Sequence, residues 1–236
     1  IEWLNASSST CARSDLCRYV NSPINTDMNN ATNVWAQMYL DIERANICIR
    51  GLRTYGNTSS NPDLAQLLGE ALTYRAIYYA DLLKTWGDVP ARFEPISSQT
   101  LYLPRTSRDV IYKQLITDLG EAEGLVAWPN ETPRTSTTEV VNKAFVKAFR
   151  ARLCMVAAGY SMYPTSNGGS EIRRSDDPEL TVDILYPIAL QECLDVIGSG
   201  KAGLTSSFET FFRNVCLENI NAGGESLWEI PFADGR

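Results

Sequence analysis

Two pairs of acidic residues, Glu121 with Glu123 and Asp176 with Asp177, come closest in this chain to a general acid and base. Glycoside hydrolysis needs two carboxylates facing each other across the substrate at a set separation. Glu121 and Glu123 stand two apart in a helical pattern and point in different directions. Asp176 and Asp177 lie beside Arg173 and Arg174 in a polar stretch, where solvated charge is the ordinary outcome. The chain contains no histidine, and so lacks the usual general base at neutral pH and the commonest zinc ligand. Ser-His-Asp and Cys-His catalysis cannot be built from it alone. Its 6 cysteines show neither a Cys-x-x-Cys pair nor metal-like spacing. Cys48, Cys154 and Cys193 fall in helical patterns and are predicted to be small buried hydrophobes. Cys11 and Cys17 share a loop, and a local disulfide is open to them if the protein is exported. No catalytic residue, metal or cofactor is expected. Asn-x-Ser/Thr triplets begin at Asn5, Asn30, Asn57 and Asn130, and carry meaning only in a eukaryotic secretory setting.

With 236 residues and 44% hydrophobic content, the chain can bury a substantial core, and no apolar run approaches the length of a membrane span. Acidic residues outnumber basic ones by 28 to 21, for a net charge of −7. Phosphates would be repelled, so a nucleic-acid partner is not expected. No signal peptide opens the chain, and Ile1 is an unusual natural beginning, so a processed, trimmed or incomplete segment is expected.

The elements that must position any site are mainly helical. Trp35, Met38, Ile42, Ala45, Ile49 and Leu52 recur at three and four, with an N-cap offered between Asn30 and Asn33. Asn46 lies beside that face and needs hydrogen-bond partners if buried. From Gly69 to Trp86, Leu72, Ala76, Tyr79, Leu83 and Trp86 make one apolar face, with Ala71, Tyr74, Tyr78 and Leu82 beside it. A helix apolar around most of its girth belongs inside a bundle. Gly87 and Pro90 stop it, and Arg75 between the faces requires acceptors, with Glu70 and Asp88 as candidates. Residues 91–103 read as extended and irregular.

Tyr112, Leu115, Leu119, Ala122 and Leu125 predict a third helix after Thr106. A fourth is predicted from Ser136, with Glu139 completing a capping box, through Val141, Ala144, Ala148, Ala151, Met155 and Ala158 to Gly159. A polar insert from Tyr160 to Asp183 precedes a fifth helix opening near Pro187, with Ala189, Leu190, Cys193, Val196 and Ile197 on its inner face. A short helix spans Phe208 to Phe212, and Trp228, Ile230 and Phe232 alternate as in a strand without an evident partner.

The order Gly69, Glu70, Ala71, Arg75, Ala76, Tyr78, Tyr79, Leu82, then Gly87-Asp88-Val89-Pro90, resembles the signature helix of the SusD/RagB family. Ala45-Asn46, Asp118-Leu119 with Glu121-Ala122, the run through Arg152, Val196-Ile197-Gly198-Ser199-Gly200 and Glu225 to Ile230 resemble further family elements. The resemblance implies a mainly all-α fold of irregular, tetratricopeptide-like stacked hairpins with long loops and a C-terminal strand. It further implies one domain over residues 1–236, incomplete at both ends. Loop would occupy 1–33, core hairpins 34–160, the insert 161–185, and the last helices and strand 186–236. It implies a non-catalytic lipoprotein on the extracellular face of the outer membrane. Such a protein captures oligosaccharides, or in some branches peptides, for a SusC-like TonB-dependent transporter. A tetratricopeptide-like protein-binding scaffold is the alternative. In the family, part of the ligand site comes from the loop before the first long helix. Carried onto this chain, that implies Tyr19 as a stacking ring with Arg18, Asn21 and Asp15 as polar companions, and Tyr163 in the insert as a further contact.

Overall fold

A computed structural model describes residues 24–25, 32–205 and 207–230. Six α-helices carry it: α1 (Val34–Tyr55), α2 (Pro62–Trp86), α3 (Arg108–Leu125), α4 (Lys143–Ala157), α5 (Val182–Ser199) and α6 (Phe208–Cys216). From α1 to α5 each helix packs on the next, the stacked-hairpin arrangement expected from the sequence. A hairpin of β1 (Ser161–Pro164) and β2 (Ser170–Arg173), with Tyr163 opposite Glu171, forms inside the predicted insert.

Local chemistry sets the helix ends. Asn33 caps α1 by accepting from the Ala36 amide, Asn61 caps α2 ahead of Pro62, and Ser107 caps α3 through the Asp109 amide. At the end of α2, Gly87 takes φ +72°, and a Cβ there would sit 2.6 Å from the Arg108 guanidinium, so glycine serves both the turn and the approach. Gly69 lets α2 meet α3, because a Cβ would come within 2.4 Å of Val126 Cγ1. The core runs along α2: Leu72, Ala76, Tyr79 and Leu82 have no exposed surface, and they meet Ile42, Leu115 and Leu119 from the flanking helices.

Two helix starts, one helix face, two cysteines and the last strand differ from expectation. The fourth helix starts at Lys143, capped by Asn142, while Ser136 closes a 3₁₀ turn at Arg134–Ser136. Val141 is buried just ahead of the helix, which made the apolar pattern look longer than the helix is. α5 starts at Val182, five residues before Pro187. Its outward side carries apolar residues: Leu190 is 61% and Ile197 74% exposed, and Cys193 is exposed with them. Cys48 is exposed as well, so only Cys154 is the predicted buried thiol, and burial pushes it up to about 11. Residues 225–230 form no strand. Instead the Trp228 ring lies 5.0 Å from Phe145 and 6.1 Å from Tyr74, and the Glu229 amide donates to the Thr138 carbonyl at 2.9 Å. The alternation is satisfied by docking on α2, α4 and the loop between α3 and α4. Cys11 and Cys17 lie outside the described residues.

Candidate binding groove on an anchored loop

Between α2 and α3 the chain makes a long excursion, residues 90–105, closed at its base by an antiparallel bridge between Val89 and Thr106. Long loops need partners for their backbone groups, and here α1 and α2 provide them with side chains. Tyr39 donates to the Pro90 carbonyl at 2.7 Å. The Tyr79 hydroxyl donates to the Arg92 carbonyl at 2.9 Å and accepts from the Arg92 amide at 2.6 Å. Asn46 donates to the carbonyls of Arg92 and Glu94, and Arg75 donates to the Phe93 carbonyl at 2.9 Å. The Glu43 carboxylate accepts from the Ile96 amide.

Arg75 is the hub of this set. Only 2% exposed, it binds Asp118 of α3 through Nε and Nη2 at 3.0 and 2.8 Å, and donates from Nη1 to Asn46 at 2.8 Å. The required acceptors exist, but they are not those proposed from the sequence. Glu70 is taken by Arg134 at 2.7 Å, and Asp88 by Arg108 at 2.9 Å. Burial raises the Asp118 carboxyl above its ordinary range, outweighing the attraction of Arg75. Burial also pushes the Tyr79 hydroxyl up to about 12, and raises Tyr39 further still. Both stay neutral donors at physiological pH.

The anchored loop faces the first half of α1 across a groove of about 470 Å³, lined by Trp35, Tyr39, Glu43, Arg92, Leu101 and Tyr102. Tyr102 is 90% exposed at the rim, and Trp35 and Tyr39 are half-buried with their rings 5.0 Å apart. Trp35 is braced edge-on by Trp86 at 5.2 Å. Fixed aromatic rings beside a guanidinium and a carboxylate offer faces for apolar C–H surfaces and charged partners for hydroxyls.

Of the residues predicted for the site, Tyr19, Arg18, Asn21 and Asp15 lie outside the described residues. Tyr163 is only 4% exposed, with Arg173 and Arg108 over its ring at 4.1 and 4.9 Å and its hydroxyl donating to Asp109. It ties the hairpin to the start of α3 and offers little open ring surface to a sugar. Sequence reading missed Tyr102 and Arg92. A Leu-Tyr-Leu run in a segment without helical period was the available signal.

The acid pairs considered for catalysis are engaged elsewhere. Glu121 binds Arg53, Glu123 binds Lys147 and Arg150, Asp177 binds Lys113, and Asp176 binds Arg173. Neither pair faces an open cleft as two free carboxylates. Among the described residues no group of His, Cys, Asp and Glu could hold a metal ion, and no helix is long and apolar enough to cross a membrane.

Comparison with known proteins gives a consistent picture. A SusD-like family model, described as starch-binding and associating with the outer membrane, matches residues 4–154. Among solved structures, a SusD superfamily protein from Parabacteroides distasonis matches with a TM-score of 0.63 and 23% identity, over 86% of this chain and 38% of its own. A structure with xylogluco-oligosaccharide matches with a TM-score of 0.56 and 20% identity, over 81% of this chain and 36% of that one. A laminarin-binding SusD-like protein matches with a TM-score of 0.52 and 20% identity, over 62% and 30% respectively. The chain thus spans well under half the length of these relatives, and at such identities they establish the fold. Among curated proteins none matches.

Proposed function

We propose a non-catalytic capture role for this chain, which belongs to the SusD-like family of starch-binding proteins associating with the outer membrane. Its ligand is an oligosaccharide, held in the groove between α1 and the 90–105 loop. The observation that carries this reading is the anchoring of the loop: eight side-chain hydrogen bonds, from Tyr39, Asn46, Arg75 and Tyr79 and to Glu43 and Tyr79, fix the backbone of residues 90–96 beside Trp35, and Arg92 in turn donates to the Leu101 carbonyl next to Tyr102. A site fixed before binding spends less affinity on ordering itself. The xylogluco-oligosaccharide and laminarin named for two structural relatives favour a glycan ligand over a peptide. The segment predicted to carry Tyr19 leads directly into α1, whose first two turns supply Trp35 and Tyr39. Both would then serve one site. Delivery to a TonB-dependent transporter, a lipid anchor and an extracellular position complete the proposal.

Titration calorimetry with starch, xyloglucan and laminarin oligosaccharides tests it. Saturable binding without release of new reducing ends is expected, and Tyr102→Ala should weaken it by roughly tenfold or more if that ring is a stacking platform. Unchanged affinity in Tyr102→Ala and Trp35→Ala would remove the groove from the proposal. Released reducing ends would replace capture with hydrolysis.

A further inference from the structure

A second cleft, of about 600 Å³, opens between α2 and α4 at the end of α2. That size is in the range of small-molecule sites. Its walls are carbon-rich: Trp86 from α2, Tyr112 from α3, Phe149 and Leu153 from α4, and Met162 from β1. Two cations, Lys84 and Arg152, reach it from α2 and α4, and both are exposed. In this acidic chain most helix cations have a carboxylate: Arg53, Arg75, Arg108, Arg134, Lys147 and Arg150 are all paired. Lys84 and Arg152 have none among the described residues. Asp81 also lines the cleft, and Arg108 brings its charge already balanced by Asp88, which leaves one net positive charge.

We propose that this cleft binds an amphiphilic carboxylate, a small molecule with an apolar body and one anionic head. The apolar body fills the space between Trp86, Phe149 and Met162, and the head is met by Lys84 and Arg152. The same lining disfavours the alternatives. A sugar would lose water from many hydroxyls against walls whose only neutral side-chain hydroxyls besides Tyr112 are Thr85 and Ser161. An extended peptide would bring an amide and a carbonyl at each residue and find the same shortage. One polar head on an apolar body matches what the cleft offers. This proposal is independent of sugar capture at the other groove.

Calorimetry of the 236-residue chain with sodium decanoate, below its micelle concentration, tests it. One saturable site is expected, with affinity falling as salt screens the exposed cations. The uncharged, sugar-free amphiphile tetraethylene glycol monodecyl ether should bind at least tenfold more weakly, as should decanoate to the Lys84→Glu, Arg152→Glu double variant, since each charged contact is worth roughly tenfold. Both substituted positions are exposed, and circular dichroism confirms that the variant folds. Leu190→Glu, on the outward side of α5, should leave decanoate binding unchanged. Absent saturation, equal binding by the double variant, or loss in Leu190→Glu would each overturn the assignment.

Discussion

Two charged clusters hold the helices together, and they are built on opposite plans. Between α1, α2 and α3, Arg75 meets a single carboxylate, Asp118, and both side chains are 2% exposed. Between α3, α4 and α5, Lys147 and Arg150 share three carboxylates, Glu123, Glu192 and Asp195, whose exposures run from 4% to 37%. The first cluster is dry and has no spare partner. The second is partly wet and redundant, because Glu192 binds both cations. A buried pair adds little net stability over an apolar replacement, but losing one member strands a charge without water. A redundant cluster near solvent lets the survivors re-pair. The dry cluster is also the one that holds the groove loop, through the Phe93 carbonyl and Asn46.

The largest effect should therefore follow Arg75→Met. It leaves Asp118 in the core with only Gln114 as a side-chain partner, at a cost of about 3–5 kcal/mol in urea unfolding. Asn46→Ala should come next, at about 2 kcal/mol, since it frees an Arg75 N–H and two loop carbonyls together. It should also weaken oligosaccharide binding although Asn46 does not line the groove. Lys147→Met should cost only about 1 kcal/mol, because Glu192 and Glu123 keep Arg150. If Lys147→Met proved as damaging as Arg75→Met, the distinction between the clusters would collapse.

The two clusters also mark where sequence was informative. The end of α2 was written in Gly87, whose effect is local, whereas its start at Pro62, capped by Asn61, precedes the stretch read as helix from Gly69. That Arg75 and Asn46 needed partners was equally legible, since burial follows from the helical period. Which partners they took was not. Glu70 and Asp88 are near in sequence, whereas Asp118 is 43 residues from Arg75 and arrives only when α3 packs on α2. The start of α5 was misplaced because Pro187 was read as an opening, whereas it sits inside the helix, where it only removes the bond its own N–H would make to the Asp183 carbonyl. For the groove, Trp35 was visible on the apolar face of the first helix, but the loop path rests on hydrogen bonds to backbone carbonyls and amides, which carry no side-chain signature. The acidic and aromatic residues expected upstream of α1 lie outside the described residues, and their part in the groove remains a proposal.

The smallest effect, and the one that separates the clusters by sign, is their response to acid. In the dry cluster burial raises Asp118 above its ordinary value of 3.8. The folded chain then takes up this proton at higher pH than the unfolded chain does. The group's contribution is fully present below 3.8 and is lost as pH rises through the raised folded value. In the wet cluster hydrogen bonds from Lys147, then Gln191, lower Asp195 below the same 3.8. Here the unfolded chain protonates first on acidification. The contribution is present above 3.8 and is lost as pH falls through the lowered folded value. Carboxyl carbon shifts followed by NMR should therefore place Asp118 above 3.8 and Asp195 below it. The stability gap between wild type and Asp195→Asn should be open at neutral pH and close as the pH drops through the folded value of Asp195. A gap that widened with acid, or two carboxyls titrating on the same side of 3.8, would mean that burial and pairing are not divided between the clusters in this way.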